Sequence, residues 1–172
     1  SGTIGNFDGL HLGHQAILKK IKNNSKEFNS KTIVFYTEPH ASEYFASISN
    51  LHNEIPPRIC SWREKFKLLE KSGIDFAFFL KFNNSLRTMS PENFISEILD
   101  SINLKSFTVG DDFRFGLDRK GDTDQLREWG KKRGILVENT ETILYKDERV
   151  SSSRIRKALI DNNFKLAEKL LG

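Results

Sequence analysis

The chain has 172 residues, 37% of them hydrophobic and 29% charged, the make-up of a soluble globular protein with room for one domain and a real core. Its 27 basic and 23 acidic residues leave a net charge of +4, which suits phosphorylated small molecules and lacks the clustered basic stripe of a nucleic-acid binder. A single cysteine, Cys60, excludes an internal disulfide framework and fits a reducing, cytoplasmic setting, and no apolar run is long enough to span a membrane.

A strand ending at Thr3 and Ile4 leads into Gly5-Asn6-Phe7-Asp8-Gly9-Leu10-His11-Leu12-Gly13-His14 and then into an amphipathic helix, Gln15 to Asn23. Only four residues precede Gly5, so this first strand is expected to be clipped. In the turn, Gly5 and Gly9 are expected to take positive φ and let the backbone approach a ligand, while Gly13 leaves the space between His11 and His14 open. Backbone N–H groups at the helix start face the same spot, which suggests a phosphate site lined by two imidazoles. The glycine spacing is neither that of the Walker loop nor that of the dinucleotide fingerprint. Zinc is the poorer reading of His11 and His14, because no compact carboxylate–histidine motif accompanies them and only one cysteine exists.

Thr32 to Tyr36 is a second strand, β-branched and aromatic and so buried on both faces. It runs into Thr37-Glu38-Pro39-His40, expected beside the histidine turn because ligands of open α/β sheets sit at the carboxyl ends of strands. Ala41 to Pro57 reads as a long loop. Ser61-Trp62-Arg63-Glu64 is a capping box that opens a helix to about Lys71, stopped at Gly73, and Asp75 to Leu80 is a third strand. Ser90, with Pro91 in the first turn, begins a helix to about Ser101. Ser106 to Val109 is a fourth strand, ending in the glycine-bounded loop Gly110-Asp111-Asp112-Phe113-Arg114-Phe115-Gly116.

A helix from about Asp122 to Arg133 stops at Gly134; Ile135 to Glu138 is a fifth strand and Thr142 to Tyr145 a sixth. Ser151-Ser152-Ser153-Arg154-Ile155-Arg156 opens a helix to Asp161, and a last helix covers Phe164 to Leu171. Those serines read as helix caps, and with Arg149, Arg154 and Arg156 they also make a polyphosphate clamp. Trp62 and Trp129 have core-like spacing, one of Phe113 and Phe115 is expected in the core, and His40 reads equally well as a histidine bonded within its own loop. Strands alternating with helices indicate an α/β fold with a doubly wound parallel sheet.

The whole string from Gly5 to His14 resembles the signature of the nucleotidylyltransferase superfamily, in the form GNFDGxHxGH of the FMN adenylyltransferase module of prokaryotic bifunctional riboflavin kinase/FAD synthetases. Gly110 to Gly116 resembles that family's G-x-[ND]-F-x-F-G element, with Asp112 where some members carry asparagine. Ser151-Ser152-Ser153 and Arg156 resemble its Ser-Ser-Thr-x-x-Arg motif, with serine for the usual threonine at Ser153. Thr37 to His40 match T-F-[DE]-P-H-P in part: Tyr36-Thr37 departs from Thr-Phe and Ala41 replaces the closing proline.

The resemblance covers essentially the whole chain and implies a Rossmann-like fold of the nucleotidylyltransferase type. It implies transfer of AMP from ATP, accompanied by Mg2+, to FMN, giving FAD and pyrophosphate. It further implies catalytic roles for His11, His14 and Arg156, and ATP contacts from Gly5, Phe7, Gly13, Gly110, Asp112, Phe113, Arg149, Ser152 and Ser153. FMN contacts are expected from Thr37, Pro39 and His40 of the matched loop and, by position, from Asn6 and Asp8; no metal-ligand set is assigned. The family continues into a riboflavin kinase domain after the stretch matched by Ala167 to Gly172, so residues 1–172 are expected to form the adenylyltransferase domain and not to phosphorylate riboflavin. No nucleic-acid or membrane partner is expected. Transfer to another phosphate acceptor, such as phosphopantetheine or glycerol phosphate, and a non-catalytic flavin- or nucleotide-binding module are the alternatives.

Overall fold

The computed structural model describes residues 1–49 and 55–172. The β-branched and aromatic runs form β1 (Gly2–Ile4), β2 (Ile33–Glu38), β3 (Phe76–Lys81), β4 (Ser106–Gly110) and β5 (Leu136–Thr140). All pairings among these five are parallel and the order across the sheet is β3-β2-β1-β4-β5. Central β1 is three residues long and wholly buried, and β2 buries Val34, Phe35 and Tyr36, as strands covered on both faces must.

The helices are α1 (Leu12–Glu27), α2 (Ala41–Ser49), α3 (Trp62–Lys71), α4 (Asn84–Thr88), α5 (Pro91–Phe94, continued by a π-helical turn over Ile95–Leu99), α6 (Thr123–Arg133), α7 (Ser152–Ile160) and α8 (Phe164–Leu171). Leu18 and Ile21 of α1 and Leu69 of α3 pack with Val34 and Phe7 on one face of the sheet. On the other, Phe94 and Leu99 with Leu126 and Trp129 of α6 cover Phe35, Phe107 and Val109. The sheet is therefore doubly wound. Each such fully buried side chain contributes about 1.5–3 kcal/mol. Ile155 and Ala158 of α7 pack with Ala167 and Leu170 of α8 in a third cluster that reaches Leu12, so the serine run is carried to the start of α1. No helix among the described residues is long and apolar enough to cross a membrane.

Local chemistry sets most boundaries as expected. Ser61 and Glu64 form the capping box of α3, Ser90 caps α5 with Pro91 behind it, and Asp122 caps α6 by accepting the Asp124 and Gln125 N–H groups. Gly134 ends α6 at φ 68°, a left-handed cap that favours glycine.

Three of these expectations need correction, and one element is added. The stretch expected as a loop from Ala41 to Pro57 carries α2 over its first nine residues, while residues 50–54 lie outside the described residues. The His40 ring accepts the Ser42 N–H and the Glu43 carboxylate accepts the His40 N–H, so α2 is capped without a Ser, Thr, Asp or Asn before it. The expected sixth strand never joins the sheet. Leu144–Tyr145 (β6) pairs antiparallel with Glu148–Arg149 (β7) across a two-residue turn in which Lys146 and Asp147 both have positive φ. Short helix α4, capped by Asn83, is an addition to the expected elements. Trp62 lies half exposed under the Arg63 guanidinium, whereas Trp129 is buried and donates its ring N–H to Asp100 at 2.8 Å.

Candidate active site

The order of the sheet fixes where a ligand can sit. β1 lies between β2 and β4, so the connections leave it in opposite directions and open a crevice at the carboxyl ends of β1 and β4. There a pocket of about 400 Å³ is walled by the Gly5–His14 turn, the Gly110–Phe113 loop, Thr140–Ile143 after β5, and Arg149–Ser153 with Arg156 at the start of α7.

The turn is strained, and close packing holds it in shape. Gly9 has φ 80°, while Phe7 and Leu10 also take positive φ, at a cost of about 1 kcal/mol or more each. Burial of the Phe7 ring offsets that cost, since none of it is exposed. Gly5 does not take positive φ, contrary to expectation; a Cβ there would stand 3.1 Å from the Phe7 ring, so its small size serves packing. Gly13 is needed for a similar reason, because its Cβ would come 3.2 Å from the His11 ring.

His11 is the N-cap of α1, its Nδ1 accepting the His14 N–H at 3.4 Å. That bond leaves Nε2 of the neutral ring as the proton donor. The two imidazoles stack with centroids 3.7 Å apart and planes 19° apart, and Phe7 leans on His14 at 4.9 Å. Burial, then the Arg149 charge, pushes the His11 pKa down to about 4. Burial, followed by the charges of His11 and Lys65, holds His14 well below its ordinary value. Both rings are therefore neutral at pH 7. His14 Nδ1 is buried without a hydrogen-bond partner among the described residues, an unmet polar atom on a pocket-lining side chain.

These shifts carry a stability prediction. The folded histidines have pKa values below the unfolded value near 6.5, so between about 4 and 6.5 the unfolded chain binds more protons. Stability is fully present above that window and falls as pH drops through it. The urea midpoint is expected to be lower at pH 5 than at pH 7, and the drop to shrink in His11→Asn; an equal drop in that variant would assign the effect elsewhere.

The far wall comes from α7. Ser151 caps the helix by accepting the Arg154 N–H, Ser152 donates its hydroxyl to the Asp8 carbonyl at 3.0 Å, and Ser153 is exposed in the pocket. Arg149 pairs with Asp112 at 2.8 Å, and its hydrogen bond draws that carboxyl below the usual range. Arg156 donates Nη2 to Asp8 Oδ2 at 2.6 Å and Nε to the Pro57 carbonyl at 2.7 Å. Asp8 also accepts the Ile59 and Cys60 N–H groups. Burial alone would raise this carboxyl, but those two N–H donors and Arg156 bring it below the ordinary value.

Of the residues expected at the site, Gly5, Asn6, Phe7, Asp8, His11, Gly13, His14, His40, Gly110, Asp112, Phe113, Arg149, Ser152, Ser153 and Arg156 line this pocket. Thr37 and Pro39 do not; Thr37 donates its hydroxyl to Asn6 Oδ1 at 3.3 Å and reaches the site through that residue. Arg154 turns to the β6–β7 hairpin, where it donates to the Tyr145 and Glu148 carbonyls. Phe115 is buried and Phe113 only partly so. Sequence reading passed over Arg58, which bridges Glu38 at 2.6 Å and Glu43 at 2.5 Å, and over Lys65, buried behind Asp8. No local spacing marks either, because the carboxylates that Arg58 meets and the Tyr36 ring under Lys65 lie on other elements.

Comparison with known proteins places this arrangement. A family model described as FAD synthetase matches residues 1–154. Bifunctional riboflavin kinase/FMN adenylyltransferases are 37% identical in Escherichia coli strain K12, 38% in Buchnera aphidicola subsp. Schizaphis graminum and 39% in Pseudomonas fluorescens. Each match takes in 99% of this chain and 53%, 54% and 53% of the relative, so the chain spans about half the length of the curated relatives it matches. A crystal structure described as a macrolide-efflux protein from Streptococcus pneumoniae has the same fold, with a TM-score of 0.86 over 99% of this chain and 55% of that one at 24% identity. With the family model matching residues 1–154, a stretch that takes in the glycine-rich turn and both stacked histidines, the chain belongs to the FAD synthetase family.

Proposed function

We propose that these 172 residues form an adenylyltransferase unit that transfers AMP from ATP to FMN, yielding FAD and pyrophosphate. The observation that carries the reading is the pair of neutral, stacked imidazoles at the switch point of the sheet, facing a helix start with Arg149, Ser152, Ser153 and Arg156. An FMN phosphate oxygen attacks the α-phosphorus of ATP in line, the bond to the β-phosphate oxygen breaks, and pyrophosphate leaves, with no covalent intermediate. Such a reaction needs alignment and neutralisation of growing oxygen charge rather than a protein nucleophile. His11 and His14 supply N–H donors at the α-phosphoryl group, and the α7 start with Arg149 and Arg156 takes the β- and γ-phosphates. ATP would enter as its magnesium complex, the cation offsetting charge on the phosphates.

Asn6 and His40, which line the pocket, are assigned to the flavin. Tyr44 and Phe45 of α2 and Phe82 after β3 add an edge-to-face aromatic cluster, with centroids 5.4–5.9 Å apart and Phe45 about half exposed. A flat isoalloxazine ring needs such a surface. Both oxygens of Asp8 are taken by protein donors, so Asp8 serves by holding residues 57–60 and Arg156 in place.

The test is pyrophosphate release from magnesium ATP with and without FMN, followed by FAD absorbance. FMN-dependent release with one FAD per pyrophosphate supports the reading. Release driven by phosphopantetheine or glycerol 3-phosphate and not by FMN overturns it, as does absence of any release alongside measurable ATP and FMN binding.

A further inference from the structure

Beside the pocket lies a second group of charges, and its lysine has no part in the reaction as proposed. A cavity of about 10 Å³, the size of one water, is bounded by Lys65 of α3 together with Asp8, His40, Cys60 and Arg156. Asp8, His40 and Arg156 also line the active-site pocket, so the two spaces share a wall.

Lys65 is only 5% exposed, and its Nζ lies 4.8 Å over the Tyr36 ring. Lysine is rarely buried to that degree without a salt bridge. Here the nearby carboxylates are already engaged, Asp8 by Arg156 and Glu38 by Arg58, and Lys65 forms no ion pair among the described residues. Burial accordingly lowers its pKa, while Cys60, Asp8 and Glu38 act in the opposite sense. For stability alone, an apolar side chain of similar length would serve better on this face of α3. The retained cation needs another use.

Counting charges around the cavity supplies one. Asp8, Glu38 and Glu43 face Arg58, Arg156 and Lys65, so the group is balanced only while Lys65 is present. If Arg156 turns toward a phosphate, Asp8 loses its partner and would face the incoming anion as a bare buried carboxylate. We propose that Lys65 is a positioning residue for phosphate binding: it is the standby counter-ion of Asp8, freeing Arg156 to engage the ligand and keeping the rear wall from repelling it. This rests on reading the pocket as a polyphosphate site.

The experiment compares wild type with Lys65→Met and Lys65→Arg in three measurements: calorimetric binding of inorganic pyrophosphate, steady-state kinetics in ATP, and thermal unfolding. Lys65→Met is expected to weaken pyrophosphate binding and raise the KM for ATP about tenfold, with kcat much less affected. Its Tm is expected to equal or exceed that of wild type, and Lys65→Arg to recover most of the affinity. Unchanged pyrophosphate affinity in Lys65→Met overturns the proposal, as does an affinity loss that tracks a lowered Tm and is not recovered by arginine. Wild type decides the underlying reading separately: failure to bind pyrophosphate removes the polyphosphate site itself, whereas binding that depends on Lys65 without FMN turnover upholds the proposal and rejects only the acceptor.

Discussion

Replacing His11 by asparagine is expected to lower kcat for FMN-dependent FAD formation about 10²–10³-fold, the cost of removing one transition-state donor, while the fold survives. The choice of asparagine follows from the two roles at stake, the observed helix cap and the proposed phosphate donor. As N-cap of α1, His11 accepts the His14 N–H, and alanine would forfeit that bond along with the imidazole, at about 1 kcal/mol of stability. Asparagine is a good N-cap, so it separates the two roles. The effect belongs in kcat more than in KM, because an N–H donor held at the α-phosphoryl group gains most as charge develops there. Burial and the Arg149 charge keep His11 neutral at working pH, so the loss is that of a directed donor and not of a cation. Steady-state kinetics and a thermal scan on the same preparation check both halves. Near-normal kcat with an unchanged Tm would remove His11 from the chemistry and leave it a helix cap.

Why His11 was visible in the sequence while Lys65 was not is a matter of distance along the chain. The features read correctly from sequence are those whose cause is local: β-branched runs for β2 and β4, the Ser61–Glu64 box that opens α3, Asp122 and Gly134 bracketing α6. The histidine turn belongs with them, since His11, Gly13 and His14 make their geometry within four residues. Where the cause is distant the reading failed or stayed silent. α2 begins on contacts of the His40 ring and Glu43 that no capping rule lists, and β6 turned back on β7 because a short apolar run does not declare its partner. Gly5 misled because glycine answers two needs, positive φ and a neighbour's bulk, and here the Phe7 ring sets the second. Arg58, Lys65 and the Asp8–Arg156 pair join positions up to 148 apart in sequence, so only the folded chain brings them together.

That long-range pair gives the largest expected effect on stability. Asp8→Ala is expected to cost about 3–5 kcal/mol, the usual loss when one partner of a buried ion pair is removed. Two consequences add up: Arg156, itself only partly buried, is left without its counter-ion, and the buried side of the site loses the acceptor of the Ile59 and Cys60 N–H groups. For a chain of this length the fall in Tm is roughly 6–20 °C. Asp8→Asn retains an acceptor for the backbone donors and is expected to lose distinctly less. The Asp8 pKa is lower in the folded chain than the ordinary aspartate value, so its contribution is present above that ordinary value and disappears as pH falls through the folded one. The gap in stability between wild type and Asp8→Asn is accordingly expected to narrow below pH 4. Urea unfolding of both variants at pH 7 and pH 3, with the double variant Asp8→Ala/Arg156→Met alongside, apportions the loss. Recovery in the double variant assigns it to the stranded guanidinium. A double variant as unstable as Asp8→Ala assigns it to the 57–60 segment, and Asp8 would then act on the site by fixing backbone and not by holding Arg156.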